Sequence, residues 1–316
     1  GGLSVESVRK FAKELGWPII AEDPLTFADA VAHASIFLTS AQIRAALIPQ
    51  TVIVIGRTTL SRSINTFLKL APTQIVIDPR MATVDSDRHA DKRFTQIPEL
   101  NTKTASPEWS EQWEKYADRA AKSIDALTGF SEAVIAREVA ANLPEGSTLF
   151  VSSSRPIRDL EGFAAPRSGV TTHANRGLAG IDGNISTALG IASASKETFA
   201  VLGDLSFLHD LTGLIHREDI DCCFIVINND GGGIFSTLPQ RGVDGFESVF
   251  GTPHGLDPAA IAIAMGISAS TISSIDELKK VLKSPVKGIS VVVANVASRD
   301  ENADSLKAIY ESMNSI

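Results

Sequence analysis

Cysteine is nearly absent from this chain: there are 2 among 316 residues, side by side at Cys222 and Cys223. Both lie in an apolar run, where strand geometry points neighbouring side chains to opposite faces. The pattern therefore favours two small core residues over a disulfide or a metal-binding pair. Such sparse cysteine suits a reducing compartment, and we expect the protein to be cytoplasmic.

The chain also lacks a basic excess and long apolar runs. Its 29 Lys and Arg residues face 37 Asp and Glu residues, which gives a formal net charge of −8. That charge argues against a nucleic-acid surface, and no Lys/Arg-rich run contradicts this. No apolar run approaches the ~20 residues of a membrane-spanning helix, and no signal peptide is visible. We expect neither nucleic acid nor a membrane among the partners.

Several catalytic motifs are missing as well. The sequence contains no G-x-S-x-G elbow, no Walker loop and no Cys-x-x-Cys pair. The hydrolase, P-loop and thiol-redox classes thus lack their usual sequence support. The six histidines show no zinc-ligand spacing, so we interpret them as capping or core residues.

What the chain does contain is an alternation of apolar runs and helical patterns, which predicts an α/β fold with two doubly wound parallel-sheet domains. The first is expected over residues 1–128 and the second over 129–316, with a helix over about 108–127 leading across. The polar stretch 82–93 is expected to be a solvated loop. Strands are predicted near 17–20, 51–55, 74–78, 147–151, 170–173, 198–203, 222–228 and 288–294.

Two strand ends in the second domain carry a possible metal site. Gly203-Asp204-Leu205-Ser206 ends one apolar run, and Asn228-Asn229-Asp230 with three following glycines ends the next. Parallel strands joined by a helix bring Asp204 and Asn229 to one edge of the sheet. A carboxylate, an amide oxygen and a backbone carbonyl suit Mg²⁺, which commonly keeps phosphate oxygens among its ligands. The alternative is two ordinary turns; the strand–helix–strand spacing favours the metal–diphosphate site.

Two arginines follow other strand ends of the same domain. Residues 152–158 and 175–183 each leave a strand and open a helix, whose free N–H groups attract anions. Arg158 and Arg176 add bidentate donors for carboxylates, so together they indicate a substrate that bears carboxylates. Pairing of each arginine with a surface acid is an equal alternative. Residues 234–238 line either an apolar pocket or the core.

These motifs resemble the thiamin-diphosphate-dependent enzyme superfamily, whose motif is G-D-x followed by N-N. Here 24 residues separate Asp204 from Asn229. Leu205 stands where most of the superfamily has a third glycine, and Gly-Asp-Leu-Ser is similar to the branch that acts in menaquinone (vitamin K2) biosynthesis. The stretches 175–177, 180–183 and 246–255 resemble that branch too. The resemblance covers the whole chain, with its specific motifs between 150 and 256.

The resemblance implies a transferase that uses thiamin diphosphate and Mg²⁺ or Mn²⁺. Such a carboligase decarboxylates 2-oxoglutarate and adds the remaining succinyl-semialdehyde unit to isochorismate. It assigns the metal to the side chains of Asp204 and Asn229 and the carbonyl of Gly231, with Ile181 supporting the bend of the cofactor. The implied cofactor-binding residues are Gly180, Ile181, Gly203, Asp204, Leu205, Ser206, Asn229, Gly231, Gly232 and Ile234. The implied substrate-binding residues are Ser154, Arg158, Arg176, Ile234, Phe235, Leu238 and, by a loose alignment with Arg57 as its substitute, Arg62.

Enzymes of this family have three domains, and the chain resembles only the central and the diphosphate-binding ones. The pyrimidine-binding domain, which carries the catalytic glutamate, has no counterpart here. We therefore assign no catalytic residue, expect no cofactor in the central domain, and expect the chain to be inactive alone. The complete protein is expected to be a homodimer or homotetramer. Two alternatives stay open: another thiamin-diphosphate enzyme, of the acetolactate synthase or 2-oxoacid decarboxylase type, and a non-catalytic nucleotide-binding module.

Overall fold

A computed structural model describes residues 2–80, 89–99, 104–215 and 220–314. Its strands are β1 (Thr51–Ile55), β2 (Thr73–Ile77), β3 (Lys92–Phe94), β4 (Thr148–Val151), β5 (Thr171–His173), β6 (Thr198–Gly203), β7 (Cys222–Asn228), β8 (Ser268–Ile272) and β9 (Ile289–Asn295). Its helices are α1 (Val5–Leu15), α2 (Ala34–Phe37), α3 (Ala41–Ala46), α4 (Arg62–Leu68), α5 (Pro107–Asp125), α6 (Glu132–Asn142), α7 (Arg155–Phe163), α8 (Asn184–Ala192), α9 (Asp204–His209), α10 (Pro258–Ala264), α11 (Ile275–Lys283) and α12 (Arg299–Ser312). Of the helices formed by these residues, none combines the length and apolar composition needed to cross a membrane.

The strands form two parallel sheets. The first has the order β1-β2-β3 and the second the order β5-β4-β6-β7-β9-β8. All their pairings are parallel. This confirms the predicted α/β class with two parallel-sheet domains. The predicted strands at 198–203 and 222–228 coincide with β6 and β7.

Both faces of the larger sheet are covered. Along β7, Phe224 and Val226 join the apolar cluster on one face, and Ile225 and Ile227 join the cluster on the other. Cys222 and Cys223 divide in the same way, and both are free thiols. Strands that are buried on both faces have nearly continuous apolar sequences. For this reason β6 and β7 could be predicted from the sequence.

The predicted and observed strands differ in three places. Residues 17–20 form no strand: Pro18 has no N–H to donate, and the carbonyl of Ile19 accepts a hydrogen bond from the loop residue Val31. The strands β3 and β8 were not predicted, because most of their side chains are exposed and leave no apolar run. Residues 82–88 of the predicted polar loop lie outside the described residues, and the end of that stretch enters β3.

A third apolar cluster joins the two halves of the chain. Phe37 and Trp113, from the part that carries the small sheet, pack in one core with Leu306, Ile309 and Met313 from the end of the chain. The predicted boundary at residue 128 falls between α5 and α6 and stays a prediction. The two parallel-sheet parts therefore share a buried apolar cluster, to which α12 contributes.

Candidate functional site

Four neighbouring strands present the predicted site residues at one edge of the larger sheet. Arg176 follows β5, Arg158 follows β4, Asp204 follows β6 and Asn229 follows β7. In the sheet, β5 lies on one side of β4, and the following strands β6 and β7 lie on the other side. The direction of strand addition therefore reverses beside β4. Open α/β sheets bind ligands beyond the carboxyl ends of the strands at such a reversal. We call this edge, defined by the segments that follow β4, β5, β6 and β7, the binding edge.

Asp204 ties two of these strand ends together. Its carboxylate accepts hydrogen bonds from the N–H of Leu205 at 2.6 Å and from the N–H of Gly231, just beyond β7, at 2.8 Å. The side chain is buried. Burial raises the pKa of the Asp204 carboxyl, and the N–H groups of Gly231 and Leu205 oppose that rise. A buried carboxylate is expensive without a charge partner, so a bound cation suits this position.

Asn229 offers a side-chain oxygen that no other described residue uses. Its side-chain nitrogen, Nδ2, donates a hydrogen bond to Oε1 of Glu132. Its oxygen, Oδ1, is buried and has no hydrogen-bond partner among the described residues. A buried acceptor without a partner costs about 1–3 kcal/mol, a cost that coordination of a cation would remove. Asp204 and Asn229 therefore fit a divalent metal ion.

This donor set differs from a site built of charged ligands. In the described part of the chain, no group of three or more His, Cys, Asp or Glu side chains is placed to hold a metal. A single carboxylate compensates only half of the charge of a divalent cation. The remaining positive charge suits a metal ion that also coordinates an anionic ligand such as a phosphate.

Glycine is required at position 231 by its surroundings. The backbone of Gly231 has φ of +131°, and an added Cβ would overlap the carbonyl oxygen of Gly251 and lie 2.9 Å from that of Thr252. The N–H of Gly232 donates to the same Gly251 oxygen at 2.7 Å. By contrast, a Cβ on Gly203 would meet nothing within 4 Å. The backbone of residues 231–232 thus packs directly against the backbone of residues 251–252.

The loop that precedes α8 is held against α9. Asn184 donates from Nδ2 to the carbonyls of Gly180 and Ile181, at 3.2 and 2.9 Å. The hydroxyl of Ser206 also donates to the Ile181 carbonyl, at 3.1 Å. These hydrogen bonds fix the backbone of Ile181 beside α9, the helix that begins at Asp204. The residue itself is 42% exposed.

The two arginines meet at a loop of the first half of the chain. Arg158 donates to the Leu60 carbonyl at 3.0 Å, and Arg176 donates to the Thr59 carbonyl at 2.7 Å and to the Ser153 hydroxyl at 3.3 Å. Burial and the positive charge of Arg158 lower the pKa of Arg176. Among the described residues, their hydrogen bonds go to carbonyl and hydroxyl oxygens and not to a surface acid. Two neighbouring guanidinium groups are thus suited to carboxylates.

The other predicted substrate-binding residues lie beyond the ends of β4 and β7 and at the start of α4. Ser154 precedes α7 with φ of +75°, a conformation that is uncommon outside glycine. Arg62 is exposed at the start of α4, two residues beyond the carbonyl that Arg158 contacts. Ile234, Phe235 and Leu238 are all half-buried in and after the 3₁₀ turn that follows the glycines.

Sequence reasoning missed several residues at the binding edge. His254, interpreted as a capping or core residue, places Nε2 3.3 Å from Oδ2 of Asp204. Glu132 contacts Asn229 from 97 positions away, and Glu22 accepts hydrogen bonds from Thr59 and Leu60. In the sequence, Glu132 looks like an ordinary acidic residue in the first turn of a helix. No sequence spacing connects it with Asn229.

Comparison with known families divides the chain in two. Residues 4–151 match the family described as "Middle domain of thiamine pyrophosphate". Residues 159–296 match the "Thiamine pyrophosphate enzyme, C-terminal TPP binding domain". The second match contains Asp204, Asn229 and Gly231. It supports thiamin diphosphate, also called thiamine pyrophosphate, as the ligand of this part of the chain.

Several curated relatives carry the name 2-succinyl-5-enolpyruvyl-6-hydroxy-3-cyclohexene-1-carboxylate synthase. The protein of Thermobifida fusca is 38% identical over 85% of this chain and 51% of its own length. That of Kineococcus radiotolerans is 35% identical over 96% and 57%, and that of Bacillus cytotoxicus is 32% identical over 97% and 57%. The chain spans about half the length of the curated relatives it matches.

Proposed function

Because the chain belongs to the thiamine pyrophosphate enzymes, we propose that Asp204, Asn229 and Gly231 hold thiamin diphosphate through Mg²⁺ or Mn²⁺. The observation that carries this is the buried, unpartnered Oδ1 of Asn229 at the strand end next to the buried carboxylate of Asp204. Side-chain oxygens from both residues and the Gly231 carbonyl leave room for phosphate oxygens around a six-coordinate metal. When bound, the cofactor supplies the electron sink for decarboxylation.

Other residues of the binding edge complete the cofactor site in this proposal. The exposed side chain of Ile181 would support the bend of the cofactor, and its fixed carbonyl keeps it in place. Asp204 begins α9, so the first residues of that helix would lie beside the metal. The remaining cofactor-binding residues are Gly180, Gly203, Leu205, Ser206, Gly232 and Ile234.

The substrates proposed are 2-oxoglutarate and isochorismate, both of which carry two carboxylates. Arg158 and Arg176 would bind these groups, with Ser154 and Arg62 beside them. Their guanidinium groups are anchored by the carbonyls of Thr59 and Leu60, which orients them before substrate arrives. The half-buried side chains of Ile234, Phe235 and Leu238 would exclude water from the reacting carbon.

The reaction proposed is the one that gives the relatives their name, a carboligation in menaquinone biosynthesis. Activity of the whole protein, its homo-oligomeric assembly and a cytoplasmic location are parts of this proposal. The residues described here bind and orient, and we assign none of them as the acid–base group that activates the cofactor.

Turnover tests the reaction. The chain is supplied with thiamin diphosphate, Mg²⁺, 2-oxoglutarate and isochorismate, with and without the part of the Thermobifida fusca relative that lies outside the match. Release of carbon dioxide that requires isochorismate supports the proposal. Turnover of pyruvate in place of 2-oxoglutarate would contradict it and favour an enzyme of the acetolactate synthase type. Replacing Arg176 by Gln should raise the KM for 2-oxoglutarate more than it lowers kcat.

A further inference from the structure

Glu132 controls which end of the Asn229 amide is available to a ligand. The amide of asparagine has a donor end, Nδ2, and an acceptor end, Oδ1, and only the acceptor end can bind a cation. Nδ2 of Asn229 donates to Oε1 of Glu132, and Oδ1 is left buried and without a partner among the described residues. An ionised carboxylate has no hydrogen to give, so it can accept only the NH₂ end.

Glu132 is itself held from several sides. Its other oxygen, Oε2, lies 3.4 Å from Nε of Arg155, and Arg155 also pairs with Asp159. Its backbone N–H donates to Oδ1 of Asn302 on α12 at 3.1 Å. The Glu132 side chain is 6% exposed. The acceptor presented to Asn229 is therefore fixed in position and not free to follow a rotating amide.

Position 233 has no room for a side chain beside this contact. A Cβ on Gly233 would overlap Nδ2 of Asn229 and come within 3.2 Å of Oε1 of Glu132. Gly233 does not have a positive φ, so glycine is required there by contact and not by backbone conformation. The third glycine of the 231–233 run thus makes room for the pairing of Glu132 with Asn229.

We propose that Glu132 is a positioning residue that orients the Asn229 amide so that Oδ1 faces the metal ion. This inference rests on the proposed function, because it assumes the metal–diphosphate site. A rotated amide would present its NH₂ group, which repels a cation. Partners that orient a metal ligand typically contribute about 10- to 100-fold to metal affinity.

Replacement of Glu132 by Gln should reverse the orientation. Arg155 donates hydrogen bonds, so the carbonyl oxygen of the new glutamine will turn to Arg155 and its NH₂ group to Asn229. Asn229 then offers Oδ1 to that NH₂ and turns its own NH₂ towards the metal. We expect Mn²⁺ affinity in the presence of thiamin diphosphate to fall by about 10- to 100-fold.

The experiment measures free Mn²⁺ by electron paramagnetic resonance while Mn²⁺ is titrated into the chain with thiamin diphosphate. The matched control is Glu138→Gln, on the same helix, where a buried glutamate pairs with Arg137 and Lys279 away from Asn229. This control should leave the affinity unchanged. Asp204→Ala reports on the metal site itself and should abolish binding.

A second background separates orientation from structural support. In Asn229→Asp the ligand has two equivalent oxygens, so no end needs to be selected, and Glu132 now repels it. Glu132→Gln should therefore strengthen Mn²⁺ binding in that background, although it weakens binding in the wild type.

Equal weakening in both backgrounds, or no change in the wild type while Asp204→Ala loses binding, would overturn the role of Glu132 alone. Equal Mn²⁺ binding by wild type and Asp204→Ala, or none by either, would overturn the proposed metal site as well.

Discussion

At the scale of single residues, the carboxyl of Glu161 should make stability depend on pH. Its side chain is buried, Oε1 has no hydrogen-bond partner among the described residues, and burial together with the negative charge of Glu22 raises its pKa from 4.5 to about 8. The folded protein therefore holds the proton more tightly than the unfolded chain does. Its contribution favours folding at low pH and is lost as the pH rises from 4.5 to about 8.

Glu161→Gln should remove this loss. The variant should be more stable than the wild type near pH 8, by at least about 1 kcal/mol, since each unit of pKa is worth about 1.4 kcal/mol. The difference should shrink as the pH falls towards 4.5. Urea unfolding at a series of pH values measures it, and a difference that is constant across the series would contradict the assignment to Glu161.

The glycines at the binding edge should respond differently to a methyl group. Gly231→Ala meets both a positive φ and the Gly251 carbonyl, so we expect a loss of at least about 1–3 kcal/mol. Gly203→Ala has a φ of −78° and open space, so its unfolding free energy should stay within about 0.5 kcal/mol of the wild type. Urea unfolding without ligand compares the two, and equal losses would be inconsistent with the steric argument.

The residues that the sequence could predict here are those with a local signal. Asp204 and Asn229 each follow an apolar strand, and parallel strands bring such ends together whatever the details of packing. Glu132 and His254 reach the same place only through the packing of α6 and of the segment after the 3₁₀ turn. Their contacts depend on side-chain geometry that no periodicity encodes.

At the scale of secondary-structure elements, α12 supports the turn that carries the proposed apolar wall of the site. Ser298 and Glu301 form a reciprocal cap, and α12 packs against the turn Gly233–Thr237. Ser298→Ala should cost about 1 kcal/mol and speed amide hydrogen exchange in that turn. Ser274→Ala removes the similar cap of α11 and should cost as much without affecting the turn. Faster exchange in both variants would contradict this coupling.

The strands buried on both faces were predictable, whereas two edge strands, β3 and β8, were not. The apolar runs of β6 and β7 identify them because two helical layers cover each strand. The edge strand β8 has one neighbour and mostly exposed side chains, so its sequence resembles that of a loop. The segment 17–20 shows the opposite error, because it is apolar but forms no strand. Pro18 has no N–H to donate, and the carbonyl of Ile19 accepts its hydrogen bond from the loop residue Val31.

At the scale of the whole molecule, the two parallel-sheet parts should unfold together. Met313 is fully buried in a cluster that contains Trp113 and Phe37. The chain has 3 tryptophans, Trp17, Trp109 and Trp113, so fluorescence reports on the first part and on the shared cluster that contains Trp113. Met313→Ala should cost about 2–5 kcal/mol and shift the fluorescence and far-ultraviolet circular dichroism transitions equally. A fluorescence transition that does not move would show that the parts unfold separately.

The central claim is that the binding edge holds thiamin diphosphate through a metal ion, and calorimetric titration of thiamin diphosphate into the chain tests it most directly. We predict binding in the presence of Mg²⁺ that is abolished by EDTA and by Asp204→Ala and is retained by Glu138→Gln. Absence of binding by the wild type with Mg²⁺, or binding that persists in EDTA and in Asp204→Ala, would contradict the claim.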